Sequence, residues 1–128
     1  MPLRDAEVTS PFGYRIHPVF GYNTFHRGVD FRGKRGAGVY AAAAGKVVEI
    51  GRDGVLGLYV VVEHSGLYTT TYAHMSEATV RLNQEVLSGS MIGKVGNTGI
   101  STGPHLHFEI AQGERLLDPL ELLPLISE

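Results

Sequence analysis

The chain has 128 residues, 43% of them hydrophobic, with 11 basic and 13 acidic side chains and a formal charge of −2. This is enough for one domain with a core of its own, expected over residues 1–128, and too apolar for a disordered chain. Cysteine is absent, which removes disulfides, thiolate metal sites and cysteine nucleophiles; the lack of a basic block argues against nucleic acid, and no apolar run nears the roughly 18 residues of a transmembrane segment.

The first residues, Met1-Pro2-Leu3-Arg4-Asp5-Ala6, lack the apolar core and cleavage site of a signal peptide, leaving either a cytoplasmic protein or one whose leader has been trimmed. Seventeen glycines, about twice the usual share of roughly 7%, punctuate short apolar runs in the manner of an all-β domain. His26 and Asp30 are four apart. Gly28 between them and Val29 beside it favour an extended segment over a helix, with both side chains on one face. Strands are expected over Gly38–Ala43, Lys46–Ile50, Leu58–Glu63, Leu67–Ala73, Ser90–Val95 and His105–Ala111.

Arg52-Asp53-Gly54 and His64-Ser65-Gly66 supply hairpin chemistry between these strands, glycine providing the positive φ. The continuously apolar Leu58–Val62 suits a strand covered on both faces. Residues 76–89 read as a loop with one short strand. The tripeptide Gly45-Lys46-Val47 recurs as Gly93-Lys94-Val95, a hint of internal duplication. Near the end, Asp118 as N-cap and Pro119 at the first helical position predict a single-turn helix stopped by Pro124.

The chemistry concentrates in Gly103-Pro104-His105-Leu106-His107-Phe108-Glu109, which reads as a strand with both imidazoles on one face. Glu109 shares their parity and is either an orienting partner of an imidazole or simply solvated. With His26 and Asp30 these histidines form two spaced pairs of ligand-type side chains. Imidazole and carboxylate suit zinc, and three such ligands with an open fourth position make a catalytic site, so the chain reads as a zinc hydrolase.

His74 is expected to end a strand on which Thr70, Tyr72 and His74 share a face. His64 reads as an ordinary turn residue, and His17, before Pro18, as a loop residue or part of a cleft rim. Tyr22 and Tyr72 read as packing residues rather than oxyanion donors. Gly99-Ile100-Ser101-Thr102-Gly103 matches the Gly-x-Ser-x-Gly pattern of a serine nucleophile, but that elbow needs a helix after it, and Pro104 and an extended segment follow here. Ser101 and Thr102 instead shape the loop that delivers His105.

Several pieces occur together in order: Ser10-Pro11-Phe12-Gly13-Tyr14-Arg15-Ile16-His17-Pro18, Phe25-His26-Arg27-Gly28-Val29-Asp30-Phe31, Val39-Tyr40-Ala41-Ala42, Tyr72-Ala73-His74-Met75, and Gly96-Asn97-Thr98-Gly99 through Glu109. This set resembles the lysostaphin/LytM-type zinc metallopeptidases, which cut peptide stems or cross-bridges of bacterial peptidoglycan. The resemblance covers about residues 8–120. It implies an all-β fold, a small antiparallel β-sheet or barrel-sandwich of duplicated hybrid motif type, with a groove over the sheet.

It also implies one Zn2+ ion held by His26, Asp30 and His107, with His74 and His105 as non-ligating catalytic histidines, either of them the general base. The implied activity is zinc-dependent endopeptidase hydrolysis through a zinc-activated water. The implied setting is a monomer acting on a peptidoglycan peptide outside the cytoplasm. The chain departs from the family at Gly57-Leu58, where the family often carries Gly-Asn, and at Asn83, where glycine is common. Both lie away from the ligand positions, and asparagine tolerates the left-handed region. A non-catalytic, peptidoglycan-binding activator of another wall hydrolase is the alternative, against which all five functional positions stand intact.

Overall fold

The structure, a computed structural model, describes residues 1–4, 7–16, 23–99 and 103–126. His17, Tyr22 and the Ile100–Thr102 segment of the serine-like pattern lie outside the described residues. In chain order the strands are β1 (Glu7–Ser10), β2 (Gly13–Ile16), β3 (Asn23–His26), β4 (Val29–Arg32), β5 (Gly38–Tyr40), β6 (Gly45–Asp53), β7 (Gly57–Glu63), β8 (Tyr68–Ala78), β9 (Glu85–Val86), β10 (Met91–Val95), β11 (His105–Gln112) and β12 (Arg115–Leu117), followed by helix α1 (Pro119–Ile126). Ten of the strands form one sheet whose main path runs β1-β4-β11-β8-β7-β6-β9, with β10 joining β8 to β5 and β12 flanking β11; β2 and β3 form a separate ribbon. Every pairing is antiparallel, as the all-β reading expects.

Strand β11 organises both the core and the site, because its alternation is regular. Leu106, Phe108 and Ile110 are fully buried on one face, leaving His105, His107 and Glu109 on the other. The buried face packs against Val29 and Phe31 of β4, Tyr72 and Met75 of β8, and the valines of β6 and β7. The Phe108 ring lies 5.1 Å from Tyr72 and 6.5 Å from Phe31, centroid to centroid. Burial of this apolar set holds the sheet in register and so fixes the opposite face.

Several local expectations change. Strands β6 and β8 outrun their predicted ends, and β8 takes the first part of residues 76–89, leaving β9 as the short strand there. In β7, Val60 and Val62 are buried but Leu58, Tyr59 and Val61 only half-buried, so this run is covered fully on one face, as befits an antiparallel sheet. The β6–β7 turn is shaped by Asp53, whose Oδ1 accepts from the N–H groups of Val55 (2.8 Å) and Leu56 (2.6 Å). Its positive φ falls at Gly57 rather than Gly54. In the next turn Gly66 and Leu67 are both left-handed, as is Asn83.

Asp118 caps α1 by accepting the Leu120 N–H at 3.0 Å. The helix nevertheless continues past Pro124 to Ile126. A proline so near a helix end forfeits little more than the bond its own N–H would have made. The two copies of the Gly-Lys-Val tripeptide play matching roles: a Cβ on Gly45 would stand 2.3 Å from the Glu63 carbonyl oxygen and one on Gly93 2.5 Å from that of Glu77. Val47 and Val95 both enter the core.

Candidate metal centre

His26 and Asp30 do not share a strand. His26 closes β3 in the ribbon, Asp30 lies in β4 of the main sheet, and the chain breaks direction at Arg27-Gly28 between them. Gly28 crosses so tightly over β11 that an added Cβ would meet the Phe108 carbonyl oxygen at 2.1 Å. Asp30 and His107 are directly paired across β4 and β11, so their side chains emerge on the same face.

His74 also departs from expectation. It lies inside β8 rather than at its end, with φ +62°. Strict alternation would send it into the core with Thr70 and Tyr72. The left-handed residue breaks the alternation, so that Tyr72 and Met75, three apart, both enter the core while His74 turns to the other face. There its ring centroid is 4.8 Å from that of His105 and 6.0 Å from that of His107.

Each imidazole has one nitrogen tied to an acceptor outside the cluster. His26 Nδ1–H donates to the Pro11 carbonyl (2.8 Å), His74 Nδ1–H to that of Thr98 (2.5 Å), and His105 Nδ1–H to that of Gly103 (2.8 Å). His107 Nε2–H donates to Glu109 Oε2 at 2.8 Å. The remaining nitrogens of His26 and His107 converge: His26 Nε2 and His107 Nδ1 are 3.2 Å apart, and lie 3.2 and 2.8 Å from Asp30 Oδ1. His105 Nε2 stands 3.8 Å from the same oxygen.

With their outer N–H groups committed, neutral His26 and His107 present lone pairs to each other and to a carboxylate. Three buried acceptors facing one another call for positive charge between them, which a proton supplies to one pair and a metal cation supplies to all three at once. Their separations approach the roughly 3.3 Å edges of a tetrahedron built on zinc–ligand distances of about 2.0–2.2 Å. The donor set therefore fits a metal ion, and among the described residues it is the group of three that can hold one.

Without an ion, a proton on His107 supplies that charge. Burial alone would raise the Asp30 carboxyl, but hydrogen bonds from His107 and His26, with their charge, outweigh it and hold it below the usual carboxylate range. Burial would lower His107, yet Asp30 and Glu109 push it up to about 9. His74 is lowered to about 4, chiefly by burial, against the opposing bond to the Thr98 carbonyl.

Glu109 is thus a hydrogen-bond partner of His107 rather than a solvated carboxylate; its side chain is 12% exposed, with Arg27 3.8 Å away. Tyr72 is a packing residue, as expected: its hydroxyl takes the Ala42 N–H at 2.9 Å and shares a 2.8 Å bond with Thr70 Oγ1, and burial pushes it up to about 12. His64 is half-buried and outside the cluster, bridging the Ala44 carbonyl and Thr70 Oγ1.

One residue of the site escaped sequence reasoning. Thr98 holds His74 through its carbonyl, while its Oγ1 accepts the Leu58 N–H (3.1 Å) and donates to the Met75 carbonyl (2.9 Å). The glycines beside it offered a signal. A Cβ on Gly57 would lie 2.2 Å from Thr98 Oγ1, and one on Gly99 2.4 Å from the Gly57 nitrogen.

Fold and donor set together are those of a metal-binding β domain. The chain belongs to peptidase family M23, whose model matches residues 24–119. It is 40% identical over 116 residues to the peptidoglycan DD-endopeptidase ShyB of Vibrio cholerae, covering 90% of this chain and 27% of that protein. A zinc containing peptidase from Vibrio cholerae superposes with a TM-score of 0.85 at 39% identity, over 91% of this chain and 37% of that one. The catalytic domain of the antimicrobial peptidase lysostaphin from Staphylococcus simulans also gives 0.85, at 30% identity, over 94% of this chain and 93% of that one. The chain spans about a quarter of the length of the curated relatives it matches. Among the described residues no helix is long and apolar enough to cross a membrane.

Proposed function

We propose that this chain is a zinc-dependent endopeptidase of bacterial peptidoglycan that holds one Zn2+ through His26 Nε2, an Asp30 carboxylate oxygen and His107 Nδ1. The observation that carries the proposal is the convergence of these three acceptor atoms, 2.8–3.2 Å apart, on one face of the sheet. Zinc so held would supply Lewis acidity, acidifying water and polarising an amide carbonyl.

The chain's own residues supply the rest. His74 and His105 each donate Nδ1–H to a backbone carbonyl, which fixes the tautomer and leaves Nε2 as the nitrogen that can take a proton. Proton transfer at these nitrogens, from the attacking water and on to the leaving amine, is work worth about 10²–10⁴-fold. Glu109 orients His107 and raises its basicity as a ligand. The substrate is a peptide stem or cross-bridge, with the D,D-peptide bond favoured by the named activity of the Vibrio cholerae relative. The domain, residues 1–128, acts as a monomer outside the cytoplasm, where that polymer lies.

Digestion of purified sacculi, with mass spectrometry of the released muropeptides, tests this. The protein is expected to release cross-link fragments, to stop when zinc is chelated, and to resume when zinc is restored. Cleavage by a folded, metal-free preparation overturns the mechanism. A protein that never cleaves but stimulates a separate wall hydrolase is the non-catalytic activator instead.

A further inference from the structure

A cavity of about 770 Å³ lies next to the His105 end of β11, walled by Arg4, Glu7, Arg32, Lys34, Tyr40 and Pro104 among others. Arg32 ties it to the site face of the sheet. Arg32 lies two residues beyond Asp30 on β4, directly opposite His105 on β11 and opposite Glu7 on β1. Opposed residues of antiparallel strands point the same way, so Arg32 projects on the side that carries His105, Asp30 and His107. Two residues along a strand span about 6.7 Å, which sets the distance from the reacting groups.

The charge of this cavity runs against that of the molecule. Among the described residues its walls carry three cations and one carboxylate, in a chain of formal charge −2. Arg4 is held with its guanidinium carbon 4.5 Å over the Tyr40 ring. Arg32 meets Glu7 only at 4.0 Å, with the two side chains 70% and 69% exposed. So long and exposed an ion pair is worth little and is readily exchanged for a better acceptor. Arginine's planar fork takes a carboxylate through two parallel hydrogen bonds.

We propose that this cavity is a subsite for a free carboxylate of the substrate peptide, bound within about two extended residues of the scissile bond. The proposal rests on the endopeptidase reading and adds to it a preference that the metal centre alone does not supply. Pro104 and Gly103 line the same cavity, and the Gly103 carbonyl holds the His105 ring, so a bound carboxylate also packs against the segment that positions His105.

The test is steady-state cleavage, with zinc present, of two cross-linked muropeptide preparations: one with its stem carboxylates free, the other with them converted to amides. Wild type is expected to show a KM about five- to tenfold lower for the free acid at low salt, the advantage shrinking as salt screens it. In the double variant Arg32→Gln/Lys34→Gln the ratio of the two KM values is expected to fall to about one. Glu7→Gln, which removes the competing carboxylate, is expected to widen the ratio about twofold. Equal KM values for both substrates in wild type, or an undiminished preference in the double variant, overturn the subsite and leave the endopeptidase reading standing. Failure of wild type to cut either preparation overturns the endopeptidase reading, and the subsite falls with it.

Discussion

Thr98→Ala is the perturbation whose consequences follow most directly from the geometry. Thr98 stands where β7 and β8 meet the segment before β11; its carbonyl holds the left-handed residue His74, and its Oγ1 ties Leu58 to Met75, the residue after His74. A non-glycine residue in that region costs of order 1–2 kcal/mol and persists only while its surroundings over-determine it. Removing Oγ1 leaves the Leu58 N–H and the Met75 carbonyl without their partner, each at about 1–3 kcal/mol. The sum, about 2–6 kcal/mol, corresponds to a fall in Tm of roughly 10–20 °C for a domain of this size. Thr98 touches none of His26, Asp30 or His107, so bound metal is expected to stay at the wild-type level. A loosened His74 forfeits part of the 10²–10⁴-fold work of a positioned proton-transfer group, giving a drop in kcat of about 10–100-fold. Thr98→Ser keeps the hydroxyl and is expected to stay within about threefold of wild type in kcat. The assays are turnover on cross-linked muropeptides, metal content and thermal melting of the same preparations. Full kcat in Thr98→Ala, or loss of metal in place of loss of turnover, refutes the reasoning.

Three further outcomes are expected. In chelator, thermal stability should peak near pH 6.5. His107, raised to about 9, contributes fully below its unfolded value of 6.5 and is lost as pH climbs to 9, whereas His74, lowered to about 4, costs stability as pH falls from 6.5 toward 4. Each window has a slope of about 1.4 kcal/mol per pH unit at most. Zinc should abolish the alkaline decline, since its binding displaces the His107 proton, and a flat Tm from pH 6.5 to 9 in chelator contradicts this. Glu109→Gln should weaken zinc binding about 10–100-fold when measured at pH 9, with a smaller deficit at pH 7, where the variant's His107 holds its competing proton less tightly; unchanged affinity at pH 9 refutes the orienting role. Gly28→Ala sets a methyl against the Phe108 carbonyl and should cost about 3 kcal/mol or more together with metal binding; a stable, metal-loaded variant would show that the crossing has slack.

How much of this was legible in the sequence differs from element to element. Strand β11 was plain because His105–Gln112 alternates without interruption, so its core and site faces could be read residue by residue. His74 could be singled out but its face could not. A left-handed histidine between Ala73 and Met75 has no glycine to announce it, and its conformation is held by Leu56 and Thr98, which lie between strands far off in sequence. Gly28 was visible as a glycine, yet nothing local separates a glycine inside one strand from one that carries the chain from the ribbon into the main sheet. Val60 and Val62 foretold a strand, while how far its second face is covered depended on neighbours distant in sequence. The basic cavity was hidden for a similar reason: Arg4, Arg32, Lys34 and Tyr40 are scattered along the chain and meet only when β4 pairs with β1 and β11 and the Tyr40 N–H bonds to the Pro2 carbonyl.

The most direct test of the metal centre is anomalous diffraction at the zinc absorption edge, on crystals of the zinc-loaded protein. One peak is predicted, bonded to His26 Nε2, an Asp30 carboxylate oxygen and His107 Nδ1, with no bond to His105. The absence of a peak there, or a closed site in which His105 supplies a fourth ligand, would contradict it.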